Sequence, residues 1–265
     1  MFDSLKKYQR IFAAQIKSNF AREILYRTNF FTMAAVDIIW IFIEFSLFTV
    51  IYANVDTLGG WTKPQIYFFL GIFFASDALF TTFFQRNFWQ FSDLVNRGEL
   101  DTLLTKPANP LFLALTRYMN ATALFNFCMG IAITVRFSHD AGFLGGIRWL
   151  YLPFWLFFGL FTAIQIRMLF SVPVFWTERS WAISRLYYQF FAFATKPDSI
   201  YPFWIRYVIL TFIPFAFIGS VPARALLEGL SYSEIVRIIL VLAAFNFLNA
   251  FLWRKGLRRY QSASS

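Results

Sequence analysis

Between residues 29 and 53 the chain reads NFFTMAAVDIIWIFIEFSLFTVIYA, with Asp37 and Glu44 as its only charged side chains. A segment this long and this apolar is what a helix needs to cross a hydrocarbon layer of ~30 Å. Inside such a layer every backbone N–H and C=O needs a partner within the protein, so helices and closed barrels are the available solutions. The run lacks the apolar–polar alternation of a half-buried strand and reads as a helix. Comparable stretches follow at about 66–88, 112–136, 149–176 and 180–196, with a last one at about 232–253. Only 14% of the residues are charged, where a soluble domain carries roughly a quarter. The expected fold is an all-α membrane protein with six transmembrane helices in one domain over 1–265.

The segments between these spans differ in character. In residues 1–27, Leu5, Tyr8, Phe12, Ile16, Phe20 and Ile24 recur every three or four positions, while Lys6, Arg10 and Lys17 share another face. This is the pattern of an amphipathic helix lying at a membrane interface. Region 197–229 carries Pro197, Pro202, Pro214 and Pro222, four of the nine prolines, within an otherwise hydrophobic segment. Proline breaks the helical ladder, so this region predicts two short pieces dipping partway into the membrane as a re-entrant element before the last span. The fifth crossing is accordingly either 180–196 or 203–221. Residues 254–265 form a basic stop and a small-residue tail.

With the N-terminus inside, sixteen of the 24 Lys and Arg fall in inner segments. The positive-inside rule then places both termini and the stretch around residue 100 in the cytoplasm. The net charge of +10 is explained by this topology, and no nucleic-acid partner is expected. One cysteine, Cys128, and one histidine, His139, exclude an internal disulfide framework and a Cys/His metal cluster. Cys128 is expected to be a small buried hydrophobe and His139 a solvated loop residue. Basic residues continue to Arg27 before any uninterrupted apolar run, so a cleavable signal peptide is not expected. No G-x-x-x-x-G-K-[ST] phosphate loop occurs, so ATP cannot be held by that route.

The stretch VNRGELDTLLTKPANP, residues 95–110, places charges and prolines between two of the most apolar regions. Gly98 can end a preceding helix. Leu100, Leu103 and Leu104 then make one apolar ridge, and Glu99 and Asp101 sit where carboxylates offset the positive end of a helix dipole. Pro107 stops the short helix. The residues fit a handle that docks on another protein, and equally a capped connector. Within the spans, Asp37 and Glu44 share a helical face, Asp77 falls in the second span and Arg167 in the fourth. Ionisable groups at membrane depth are costly unless paired or wet. They fit a polar substrate path, intramembrane carboxylate–arginine pairing, or a proton relay.

Three stretches in order, RGELDTLLTKPANPLF, KPDSIYPFWIRYVILTFIPFAFIGSVPARALL and LWRKGLRRYQSASS, resemble a subfamily of ABC-transporter type-2 exporter permeases. The resemblance covers essentially the whole chain. It implies a cytoplasmic coupling helix at about 97–106, matched by Gly98, Glu99, Leu100, Asp101, Leu104 and Pro107. It further implies a bacterial inner-membrane protein that pairs with a second permease, identical or different, and with two ABC ATPase subunits. ATP and Mg would sit on those partner subunits, with no cofactor in this chain and membrane lipid around it. A proton-coupled secondary transporter using the intramembrane carboxylates is the alternative, although the inverted repeats usual in that class are not visible. A lipid-modifying enzyme would need a nucleophile–base or paired-acid arrangement, and Asp93 and the Glu178–Arg179 pair do not supply one.

Overall fold

The computed structural model describes residues 2–24, 27–143, 145–177 and 181–260, with side chains for 6–21, 31–143, 145–177 and 182–260. Glu178, Arg179 and Ser180, the last five residues of the tail and the side chains of Leu5 and Ile24 lie outside the described residues. The first helix, α1 (Phe2–Ile24), is followed by α2 (Arg27–Ile51). The chain then turns through a tight hairpin of β1 (Thr57–Leu58) and β2 (Trp61–Thr62), with Thr57 opposite Thr62 and Leu58 opposite Trp61. Gly59 and Gly60 carry the positive φ angles, 59° and 85°, that a two-residue hairpin turn demands.

From the hairpin the chain enters α3 (Lys63–Phe80), whose start is set by Pro64 in its first turn and by the Gln65 side chain accepting from the Thr62 N–H at 2.9 Å. A π turn at Thr81–Gln85 joins α3 to α4 (Arg86–Asn96), making one helical rod of 34 residues. Short helices α5 (Leu100–Leu104) and α6 (Pro110–Thr116) follow, then α7 (Ala123–Ser138) and α8 (Tyr151–Ser171), the latter framed by 3-10 turns at Gly146–Leu150 and Val172–Phe175. The remainder is α9 (Trp181–Phe191), α10 (Phe203–Thr211), α11 (Ser220–Leu227) and α12 (Tyr232–Arg259).

Among the described residues, four helices are long and apolar enough to cross a membrane: Phe31–Ile51, Lys63–Asn96, Gly146–Phe175 and Tyr232–Arg259. Their burial sets their place. The apolar window of the α3–α4 rod is 78% buried and that of α8 61%, against 11% for α2 and 22% for α12. The rod and α8 are therefore central. The outer helices turn residues such as Phe31, Phe42, Ile239 and Phe247 away from the protein, as lipid-facing helices do.

The third expected span is not one helix. Residues 117–122 leave the helical path between α6 and α7, although no glycine or proline lies there. The reason is a set of hydrogen bonds to the rod. Asn87 Nδ2 donates to the Tyr118 carbonyl at 2.7 Å, Asn87 Oδ1 accepts from the Tyr118 N–H at 2.8 Å, and the Thr82 carbonyl, within the π turn, accepts from the Asn120 N–H at 2.9 Å. What remains as α7 is 16 residues, about 24 Å at 1.5 Å per residue, so a crossing here needs residues before Ala123 as well as α7. In the expected fifth span, α9 ends at Phe191, and the proline-rich region holds the two short helices α10 and α11.

The α3–α7 crossing is very close. A Cβ on Gly71 would fall 2.6 Å from the Thr134 nitrogen, and one on Gly130 would fall 2.6 Å from the Ala75 nitrogen. Small residues at such a crossing replace side-chain burial with direct backbone packing. Because α7 packs through this face, Cys128 on its other side is exposed. The expectation that Cys128 is buried is thus corrected: the residue is apolar surface, not core.

Candidate functional site

The four ionisable residues singled out within the spans line one cavity of about 540 Å³. Asp37 and Glu44, two turns apart on α2, reach it from one wall. Asp77 enters from α3, next to the hairpin-linked α2, and Arg167 from α8. Glu44 is 8% exposed and its Oε2 has no hydrogen-bond partner among the described residues. Asn126 of α7 hydrogen-bonds Asp37, and Lys196 acts on Glu44 with opposite charge.

Arg167 is the most enclosed of the four at 1% exposure. Its guanidinium carbon lies 4.3 Å from the Tyr187 ring centre and 5.3 Å from that of Tyr188. These rings supply cation–π attraction. No carboxylate lies within ion-pair distance among the described residues, and both terminal nitrogens lack a hydrogen-bond partner there. Among the described residues, Arg167 thus has no carboxylate partner in this cavity. Tyr188 in turn accepts from Trp89 Nε1 on α4, which ties α9 to the rod.

Sequence reasoning missed Asn126, Tyr187, Tyr188 and Lys196. Asn126 was the one signal available, as the amide among apolar neighbours in α7. The tyrosines carried no such signal, because nothing in their spacing tells which helix they face.

At the far end of the 34-residue rod, Gly98 takes φ 74° and reverses the chain out of α4, the left-handed step that glycine makes without a Cβ clash. Glu99 precedes α5 and pairs with Arg117 at 3.2 Å, both side chains being more than two-fifths exposed. Leu100 and Leu103 are 0% and 5% exposed, whereas Leu104 is 43% exposed. The leucine ridge is thus divided, two side chains packing inward and one facing out. Asp101 lies beside Tyr260, which ends α12. After Pro107, Asn109 caps α6 by accepting from the Leu111 and Phe112 N–H groups at 2.9 and 3.2 Å.

Helix α1 is fastened to this segment. Lys7 Nζ donates to the Pro107 carbonyl, Tyr8 Oη accepts from the Asn109 N–H at 3.0 Å, and Asn19 Nδ2 donates to the Arg117 carbonyl at 3.2 Å. Tyr8 also meets Phe112 edge-on at 4.9 Å, and Phe12 meets Phe83 at 5.7 Å. Part of the apolar stripe of α1 therefore packs on protein, while Lys6, Arg10 and Lys17 stay exposed.

A polar cluster occupies the second stretch that carried the family resemblance. Asp198 is fully buried; its Oδ2 accepts from Arg206 Nε at 2.8 Å and from Arg224 Nη1 at 3.1 Å, and its Oδ1 accepts from Ser220. Arg224 continues to Glu234 at 3.0 Å, at the start of α12. Burial pushes the Asp198 carboxyl up, but Arg224, the Ser220 hydroxyl and Arg206 outweigh it and hold the group below its ordinary value. Trp61 Nε1 donates to Ser199 at 2.9 Å, so the hairpin is joined to the same cluster.

Comparison with characterised proteins and with solved structures gives no match. A family model described as ABC-2 family transporter protein matches residues 38–264, most of the chain, with the Gly98–Pro107 segment and the cavity residues Glu44, Asp77 and Arg167 inside the match and Asp37 just before it. With its long apolar helices around a central rod, the chain is a multi-pass membrane protein and belongs to the ABC-2 family of transporter membrane components.

Proposed function

We propose that this chain is the permease subunit of an ATP-driven exporter in a bacterial inner membrane, with both termini cytoplasmic. ABC-2 membership makes it a membrane component associated with an ABC ATPase, and we assign ATP and Mg to that partner. The observation that carries the reading is the fastening of α1 to residues 107–117 beside the exposed Leu104. A partner gripping α5 would move α1 and the 34-residue rod together, because Gly98 links the rod directly to α5. In this reading Gly98, Glu99, Leu100, Asp101, Leu104 and Pro107 build the coupling segment. Leu104 and the acidic rim meet the ATPase, while Leu100 transmits the push into the core. The cavity at Asp37, Glu44, Asp77 and Arg167 is the substrate path. A second permease completes the translocation unit in surrounding lipid, with six crossings in each copy and α10–α11 re-entrant.

The test is co-purification with the ATPase, followed by ATP turnover and transport in lipid vesicles. Leu104→Arg or Glu99→Arg is expected to uncouple turnover from transport while insertion stays normal, and unaltered transport in both variants would sink the assignment. A proton-coupled carrier is the second reading, favoured by the gathering of Asp37, Glu44 and Asp77 on one cavity. Transport driven by a proton gradient through the purified chain without ATPase would establish it in place of the first.

A further inference from the structure

We infer that the cavity binds an amphipathic zwitterion, a ligand carrying an ammonium and an anionic oxygen group on one apolar or aromatic body. This rests on reading the cavity as the substrate path, and it names what that path would take. The volume of 540 Å³ lies in the range of small-molecule sites, roughly 300–1,000 Å³. Its charges do not cancel within the protein. Glu44 faces Lys196, but Asp37 and Asp77 act on each other as like charges. Two like charges near enough to act on each other, Asp37 from α2 and Asp77 from α3, attract a cation to the cavity. An ammonium would supply it.

On α8, Arg167 is almost wholly enclosed, lines the same cavity and has two terminal nitrogens without partners among the described residues. An enclosed guanidinium without an anion is costly. Its planar fork matches a carboxylate, sulfonate or phosphate through two parallel hydrogen bonds. The tyrosine rings beneath it hold the fork in place and cannot take its N–H groups in plane. The described residues offer those groups no acceptor, and an anionic ligand group would supply one in place of water. The lining also includes Trp40, Phe73, Phe74 and Phe191, which suit the apolar or aromatic body of such a ligand. A purely cationic ligand would leave Arg167 unanswered, and a purely anionic one would meet the carboxylates.

The test uses the full chain in lipid nanodiscs and three dansyl probes with bodies of similar length: dansyl-cadaverine with an amine, dansyl-aminohexanoate with an acid, and Nε-dansyl-lysine with both. Each probe is titrated by fluorescence. The zwitterion is expected to bind at least ~10-fold more tightly than either singly charged probe, the size of one charge-assisted hydrogen-bonded contact. Arg167→Gln is expected to remove that advantage and weaken the acid probe while sparing the amine. Asp37→Asn and Asp77→Asn should weaken the amine and the zwitterion while sparing the acid. If Arg167→Gln does not fold, Arg167→Lys keeps the charge without the fork and should lose part of the advantage.

An amine that binds as tightly as the zwitterion, or absence of binding by all three, overturns the inference. The probe ranking on the unaltered protein is decisive without any variant. The transport reading fails separately: the expected ranking without ATP-dependent uptake in vesicles that also hold the ATPase would keep the site and remove its role as a path. ATP-dependent uptake of the amine alone would keep the path and remove the zwitterion.

Discussion

Asp198 Oδ2 and Arg224 Nη1 lie 3.1 Å apart, with the carboxylate fully enclosed and the arginine side chain 13% exposed. The pair joins the 3-10 turn after α9 to α11, and through Glu234 to α12. Removing Asp198 leaves Arg224 with Glu234 alone as its ion-pair partner among the described residues, a partial loss of the roughly 3–5 kcal/mol that a fully unpaired buried charge costs. Arg206 is 42% exposed on its side chain and can rehydrate, so Arg224 carries most of that cost. Asp198→Asn is therefore expected to lower the thermal unfolding midpoint in nanodiscs far more than Arg206→Gln. The pH dependence follows from a carboxyl held below its ordinary value. Its stabilisation is complete above the ordinary aspartate range and is lost as the pH falls through the lowered folded-state value. An acid melt of the Asp198→Asn variant should lack that step.

The α3–α7 crossing predicts a second outcome. A methyl on Gly130 would meet the Ala75 nitrogen at 2.6 Å and the Gly71 carbonyl oxygen at 2.9 Å. Both are backbone atoms, so relief requires the helices to separate. Gly130→Ala is expected to cost about 1–3 kcal/mol by overpacking, and Gly130→Val more. Gly142, with nothing near the same atom, is not a like-for-like control because its φ of 83° strains any side chain. A better comparison is Ala132→Val on an exposed face of α7, expected to leave the unfolding midpoint nearly unchanged.

Cys128 offers a probe that needs no substitution, because it is the single cysteine of the chain. It is exposed on α7, a helix with an apolar surface. In intact vesicles an apolar maleimide is expected to label it, and a charged, water-borne thiosulfonate to leave it unmodified until detergent denaturation. Mass spectrometry of the intact protein reads both. Rapid labelling by the charged reagent would place that face on an aqueous path; protection from both reagents would place a second chain over it.

How far the sequence reached can be seen from these residues. Asp37 and Glu44 were legible as one face because a seven-residue spacing fixes two whole turns within a helix. That Asp77 and Arg167 open onto the same cavity was not, since periodicity says nothing about which faces of different helices oppose each other. The interruption at 117–122 was hidden for a related reason. Its cause, Asn87, lies 31 residues earlier and acts through backbone groups, where sequence signals of a break are local glycines and prolines. Gly98 was legible as a turn because its chemistry is local. The fate of the leucines beside it was not.

Leu103 and Leu104 are adjacent, yet one is 5% exposed and the other 43%, and this difference separates packing from partner contact. Leu103→Ala removes buried methyl groups and is expected to destabilise the protein by about 2–3 kcal/mol. Leu104→Ala is expected to stay within about 0.5 kcal/mol, as surface changes usually do. If α5 receives force from an ATPase, the order reverses in the coupled assay. Leu104→Arg should then abolish substrate-stimulated ATP turnover at an unchanged unfolding midpoint, whereas Leu103→Ala should lower turnover only in proportion to the folded protein remaining. Equal losses per folded molecule in both variants would mean that α5 acts as a packed connector and that the partner grips elsewhere, with exposed Lys6, Arg10 and Lys17 of α1 as the next surface to substitute.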